Sequence, residues 1–297
     1  MSITTPPSQI HAGQSGSYSV AENLSVNRMG FGAMRITGPG VWGAPTDPGE
    51  AKRVLQRAVE LGVNFIDTAD SYGPEVSERL IAEALYPYPT DLVIATKGGL
   101  TRQGPGQWAP DGRPEYLRQC VETSLRRLRL ECIDLYQLHR IDPKVPAEES
   151  LGVLKEMQKA GKIRHVGLSE VSVAELQWAR KLMPIVSVQN LYNIGNRGSE
   201  GVLTYCEQHD MAFIPWFPLA AGDLAKPGAA LAQAAQRHGA SVGQIALAWL
   251  LHRSQVIVPI PGTSSVAHLE ENVAASTVRL SEVEWDEIEQ AAQQRRR

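Results

Sequence analysis

DPGEAKRVLQRAVELGVNFID (47–67) reads as one α-helix passing directly into one β-strand, and repetition of that unit decides the fold. Asp47 can cap the helix and Pro48 suits its first turn. Glu50 stands three residues on, where a capping box calls for a carboxylate. Ala51, Val54, Leu55, Ala58 and Leu61 recur at helical spacing and form one apolar stripe, and Gly62 can terminate the helix. Residues 63–66 are a short apolar run of strand length, closed by the polar loop that begins at Asp67.

Working outward, the same alternation continues to the end of the chain. On the N-terminal side lies a short apolar run, MGFG (29–32). Before it, 18–27 suggests a hairpin closing one end of the sheet, and 1–17 reads as a loosely packed tail. On the C-terminal side come helix 75–85, strand 92–95 and a helix opened by Pro114 that carries Leu117, Val121, Leu125 and Leu128 on its inner face. Strand 133–138, helix 147–160, strand 163–167, helix 172–182, strand 185–189, helix 198–208 and strand 211–214 follow. Helices near 228–238 and 241–252, strand 256–258, helix 266–275 and a last helix near 281–293 complete the chain. About eight strand-plus-helix units call for a parallel sheet with crossover helices, and that number favours closure into a (β/α)8 TIM barrel. No linker divides them, so 18–297 is expected to be a single domain. The rival open dinucleotide-binding sheet requires G-x-G-x-x-G after the first strand. GFGAMRI (30–36) lacks its third glycine.

Bulk properties narrow the function classes. Hydrophobic residues make up 43% and charged residues 21%, as in ordinary globular proteins. A formal net charge of −3 gives no reason to expect nucleic acid or an acidic membrane as partner. Cys120, Cys132 and Cys206 are few, odd in number and far apart, which argues against a disulfide framework or a metal site. The N-terminus lacks the basic and apolar regions of a secretory signal, and no apolar run approaches the roughly 20 residues of a membrane span. The expectation is a cytoplasmic protein. Its oligomeric state is left open, with a monomer plausible.

In a barrel of this kind, reactive side chains sit at the C-terminal ends of the strands. Asp67 follows NFI, Tyr72 lies five residues on in DTADSYG, Lys97 ends VIAT, and His139 follows LYQL. Singly, each has an ordinary reading: a turn cap, a loop tyrosine, a solvated strand end, a satisfied polar group. Together, on three consecutive units, they make chemical sense. Carbonyl reduction needs a hydride donor and an acid for the developing alkoxide. Tyrosine is an indifferent acid with a pKa of about 10, and a nearby ammonium such as Lys97 is expected to lower it. Asp67 would pair with Lys97, and His139 would orient the carbonyl oxygen.

These stretches, with GFGAM (30–34), VIATKGG (93–99), IDLYQLHR (133–140), GKIRHVGLSE (161–170), VQNLYN (188–193) and IPGTSSVAHLEENVAA (260–275), resemble the aldo-keto reductase superfamily over nearly the whole chain. The family's catalytic tetrad falls on Asp67, Tyr72, Lys97 and His139. The resemblance implies NADPH as cofactor, with NADH a weaker alternative. Ser169, Glu170 and Gln189 would hold the nicotinamide carboxamide, and Trp216 would stack on its ring. The loop 217–223, with Phe217, Pro218, Leu219 and Asp223, would lie along the pyrophosphate. Gly262, Thr263, Ser264, His268, Glu271 and Asn272 would bind the 2′-phosphate and adenine.

Three positions depart from the family pattern. Glu170 replaces the usual Asn. Gly262 and His268 stand where many members carry Lys and Arg. The phosphate would then rest on hydroxyls, backbone N–H groups and the partial positive charge at the start of helix 266–275. Met34, Trp42, Gln107, Trp108 and Phe217 are candidates for an apolar, aromatic-walled substrate pocket. The first loop, ITGPGVWGAP (36–45), and the 260–275 segment look most like a bacterial branch associated with pyridoxal reduction. Two other functions share these features: a Schiff-base aldolase using Lys97, and a slow-turnover NADP(H)-binding regulatory subunit.

Overall fold

The computed structural model describes residues 10–219, 226 and 229–294. The chain enters through a 3-10 turn, Ala12–Ser15, that is fastened to the body. Ala12 is buried, its amide donates to Leu61 O at 2.7 Å, and the Ser15 hydroxyl accepts from the Met29 amide at 3.0 Å. Residues 10–17, expected from the sequence to be loose, are therefore packed; 1–9 of the expected tail lie outside the described residues.

Strands β1 (Ser17–Ala21) and β2 (Leu24–Asn27) form the expected antiparallel hairpin. Its buried side chains, Val20, Leu24 and Val26, join Phe65, Val93, Leu135, Ala212, Ile214 and Val258 in one apolar cluster. The hairpin thus plugs one end of the barrel. The barrel strands and outer helices then alternate: β3 (Phe31–Gly32), α1 (Pro48–Glu60), β4 (Phe65–Asp67), α2 (Val76–Leu85) and β5 (Val93–Gly98). A hairpin, β6 (Leu100–Gly104) and β7 (Gln107–Pro110), interrupts the pattern before α3 (Pro114–Leu128). After it come β8 (Ile133–Leu138), α4 (Ala147–Lys159), β9 (Ile163–Ser169), α5 (Val173–Leu182), β10 (Ser187–Leu191), α6 (Glu200–Gln208) and β11 (Ala212–Trp216). Helices α7 (Ala230–His238), α8 (Val242–Arg253), α9 (Val266–Ala274) and α10 (Glu282–Gln294) complete the described chain.

Seven strands pair in parallel in the order β11-β10-β9-β8-β5-β4-β3. Residues 256–261 fill the eighth place. On one side, Phe213 N donates to Val256 O and Val258 N to Phe213 O, both at 2.9 Å. On the other, Gly30 N donates to Pro259 O at 3.0 Å and Gly32 N to Pro261 O at 3.4 Å. Pro259 and Pro261 have no N–H to return, so the segment closes the ring mainly by accepting. The result is a (β/α)8 barrel.

Helix α1 shows how local chemistry sets an element. Asp47 Oδ1 accepts from the Glu50 amide at 2.8 Å, and Ala51, Val54, Leu55 and Ala58 face the core. The capping box expected there does not form. Glu50 instead accepts from the Val266 amide at 3.1 Å and from Arg53 Nε at 2.9 Å. Capping boxes do form at Ser172/Glu175 and Ser241/Gln244, opening α5 and α8.

Candidate active site

A cavity of about 540 Å³ opens at the C-terminal ends of the barrel strands. Asp67 closes β4, Tyr72 stands in the loop behind it, and Lys97 lies near the end of β5. His139 follows β8, Ser169 ends β9, Gln189 lies in β10 and Trp216 ends β11. The four residues read as a catalytic set are thus brought together by three neighbouring strands.

Their contacts are specific. Lys97 is fully buried and its Nζ donates three ways: to Asp67 Oδ1 at 2.5 Å, to Thr68 O at 2.9 Å and to Tyr72 Oη at 3.3 Å. Because Lys97 donates to the phenol oxygen, the phenol keeps its own proton for a partner in the cavity that Tyr72 lines. The second Asp67 oxygen accepts from Gln137 Nε2 at 2.8 Å and Gln189 Nε2 at 2.9 Å. His139 meets Tyr72 edge-on with ring centroids 5.9 Å apart, and Ser71 Oγ lies 3.4 Å from His139 Nδ1.

Burial governs the proton affinities. It raises the Tyr72 phenol above its usual value, and Asp67 adds to this; Lys97 opposes them without prevailing. The net direction is opposite to the lowering expected from Lys97 alone, because Asp67 offsets much of the ammonium's charge and the phenolate must be desolvated. Burial would also depress Lys97, but Asp67 and Tyr72 outweigh it and hold the ammonium above its usual range. His139 is pushed well below the usual imidazole value by burial and then by Lys97, so it is neutral at ordinary pH.

The residues expected along a cofactor divide into those that line a cavity and those that do not. Ser169, Gln189, Trp216, Phe217, Pro218, Leu219 and Gly262 line the main cavity. A second, of about 290 Å³, is lined by Thr263, His268, Glu271 and Asn272 and shares Leu219 and Gly262 with the first. Gly262 cannot carry the lysine common in relatives, since a Cβ there would meet Gly32 O at 2.5 Å. Asn272 is largely buried in the wall of this second cavity. Asp223 lies outside the described residues, and Ser264 is exposed and lines neither cavity.

Two expectations are corrected by these contacts. Glu170 does not line the main cavity: its Oε1 accepts from Trp216 Nε1 and from the Leu191 amide, each at 2.6 Å, so it braces Trp216. At the start of α9, where the sequence reading expected partial positive charge to help hold a phosphate, the first amide is already taken by the Glu50 carboxylate. Glu170 (φ 55°) and Phe217 (φ 58°) both hold left-handed backbone at strand ends beside the site, a conformation non-glycine residues adopt at a cost.

Among the candidates for the substrate wall, Met34, Trp108 and Phe217 line the main cavity; Trp42 and Gln107 do not. A turn closed by Gly38 N to Gly43 O puts Val41 on the cavity and Trp42 behind it, in a bridge to Gly73. Arg102, which the sequence did not single out, organises this side. Its guanidinium lies 3.6 Å from the Trp108 ring centroid and 5.6 Å from that of Trp42. It donates to Val41 O at 2.7 Å, Ser71 O at 2.9 Å, Gly40 O at 2.9 Å and Gln107 O at 3.0 Å. Three of those carbonyls, Val41, Ser71 and Gly40, lie 31 to 62 residues away and leave no local signal in a sequence.

The fold is an eight-stranded barrel with a buried, hydrogen-bonded Asp–Lys–Tyr cluster and a histidine at its mouth, and the chain belongs to the aldo/keto reductase family, whose model matches residues 28–293. It is 56% identical to an uncharacterized oxidoreductase of Schizosaccharomyces pombe over 95% of this chain and 91% of the relative. It is 46% identical to the pyridoxine 4-dehydrogenase of Escherichia coli over 87% of this chain and 92% of that protein. The glycerol dehydrogenase of Gluconobacter oxydans superimposes with a TM-score of 0.83 at 27% identity, covering 93% of this chain and 95% of that one. Among the described residues, no helix is long and apolar enough to cross a membrane, and no group of three or more His, Cys, Asp or Glu could hold a metal ion.

Proposed function

We propose that this chain reduces an aldehyde or ketone to the alcohol with NADPH, and that Tyr72 is the general acid. The observation that carries the reading is the direction of one hydrogen bond. Lys97 donates to the Tyr72 oxygen, so the phenol proton is free for a carbonyl oxygen in the cavity. A raised phenol pKa keeps that proton in place until it is needed. As Tyr72 gives it up, Lys97 is already hydrogen-bonded to the oxygen that gains charge. Asp67 holds Lys97 in position, and Gln137 and Gln189 hold Asp67. If Ser71 donates to His139 Nδ1, the neutral ring carries its proton on Nε2 and can orient the carbonyl oxygen.

NADPH, when bound, supplies the hydride. The two adjoining cavities fit such a cofactor: Trp216 is braced for a planar ring, and Asn272 lines the far end with its side-chain amide. Ser169, Gln189, Phe217, Pro218, Leu219, Thr263, His268 and Glu271 would complete its contacts. Met34 and Trp108 line the cavity with apolar surface and favour an apolar or aromatic carbonyl. Pyridoxal is proposed as a substrate on the strength of the 46%-identical pyridoxine 4-dehydrogenase. An aldolase role for Lys97 is disfavoured, because a Schiff base needs a neutral amine and Asp67 holds this one charged.

A panel of aldehydes including pyridoxal, followed by loss of NADPH absorbance, tests the reading. Repeated turnover with at least one is the expected result. Tight NADPH binding without turnover would support a regulatory subunit instead, and a borohydride-trapped adduct on Lys97 would support an aldolase.

A further inference from the structure

Among the described residues, the main cavity is lined by one carboxylate, Asp67, and that is already paired with Lys97. The other charged lining groups among them are both guanidinium, on Arg35 and Arg140. Arg35 is exposed to solvent. Arg140 is half-buried and held: its Nη1 donates to His139 O at 2.7 Å and to Ser169 Oγ at 3.0 Å. Its Nε and Nη2 have no hydrogen-bond partner among the described residues, and no carboxylate of those residues lies within 4.0 Å of it. Glu170, the nearest compensating charge, has its Oε1 engaged by Trp216 and Leu191. A half-buried guanidinium in a mostly apolar wall is costly unless an anion meets it, and its fork geometry suits a carboxylate or an aryl oxyanion. Arg140 lines the same cavity as Tyr72 and His139 and grips the His139 carbonyl, which puts its guanidinium in the wall of the cavity that holds the proposed acid.

We infer that Arg140 selects carbonyl substrates that carry an anionic oxygen next to the reacting group, such as 2-oxidoaryl aldehydes, over their neutral counterparts. This rests on the carbonyl-reductase reading above and names the substrate class for that site. Arg140 is a specificity-determining residue here; the acid remains Tyr72.

The test compares 2-hydroxybenzaldehyde, above the ionisation of its phenol, with 2-methoxybenzaldehyde, using NADPH and the full chain as wild type, Arg140→Gln and Arg140→Lys. NADPH affinity is measured alongside by fluorescence. The wild type should favour the oxyanion in kcat/KM by roughly tenfold or more, the usual worth of a hydrogen bond to a charged group. That ratio should collapse toward one in Arg140→Gln and be partly kept in Arg140→Lys, with NADPH affinity not weakened. An unchanged ratio in Arg140→Gln would overturn the inference. So would an equal loss with both aldehydes accompanied by weaker NADPH binding, which would assign Arg140 to the cofactor. Reduction of neither aldehyde by the wild type would overturn the carbonyl-reductase reading itself, and the inference with it.

Discussion

Lys97 and Asp67 form a fully buried ion pair, and each is tolerable only because of the other. Replacing Lys97 with Met leaves the carboxylate without its cation, which typically costs about 3–5 kcal/mol. Denaturant unfolding of Lys97→Met should show a loss of that order, and adding Asp67→Asn should restore part of it. A strictly additive double mutant would mean that the pair is not coupled. The four residues that the fold brings together were legible as a set in the sequence because each stands at or shortly beyond the end of an apolar strand. Their electrostatics were not. The sequence shows that a lysine is near a tyrosine, but not that burial and Asp67 together outweigh it. Glu170 was misread for a related reason: its partner Trp216 lies 46 residues away, so its bracing role appears only after folding.

At the scale of elements, the alternating barrel units were legible from helical spacing, caps and strand-length apolar runs. Even the eighth strand position was visible, although its two prolines leave it few ladder donors of its own. The hairpin β6–β7 was not. Its strands are short and largely polar and bury only Leu100 and Gly104, so it lacks the one-sided apolar pattern that marks a buried strand. Arg102 attaches it to the first loop and to Ser71. Arg102→Leu removes those bonds and the face that supports Trp108, while leaving the tetrad's own contacts in place. It should therefore raise KM for aromatic aldehydes roughly tenfold and lower kcat much less. A fall in kcat with KM unchanged would show that the hairpin serves the chemistry rather than the pocket wall.

For the molecule as a whole, the stretch DTADSYG carries a cost as well as a catalyst. Asp70 is buried, its Oδ1 has no hydrogen-bond partner, and burial followed by the nearby charge of Glu78 raises its pKa to about 7 from 3.8. Between those values the folded state binds more protons than the unfolded chain. The stabilisation from burying the neutral acid is thus whole below about pH 4 and is lost as pH rises through about 7. Asp70→Asn is neutral throughout, so its Tm should gain on the wild type between about pH 4 and pH 8. A Tm difference that does not change with pH would rule this out. The same loop places Tyr72 between Lys97 and the cavity, and proton delivery from Tyr72 to a carbonyl is the claim on which the functional account depends. The most direct measurement uses NADPH deuterated at both C4 positions with an aldehyde substrate, and mass spectrometry of the alcohol formed by wild type and Tyr72→Phe. The account predicts one deuterium on the former carbonyl carbon with the wild type, and a rate lower by about 10²–10⁴-fold with Tyr72→Phe. Alcohol without deuterium, or equal rates for the two proteins, would contradict it.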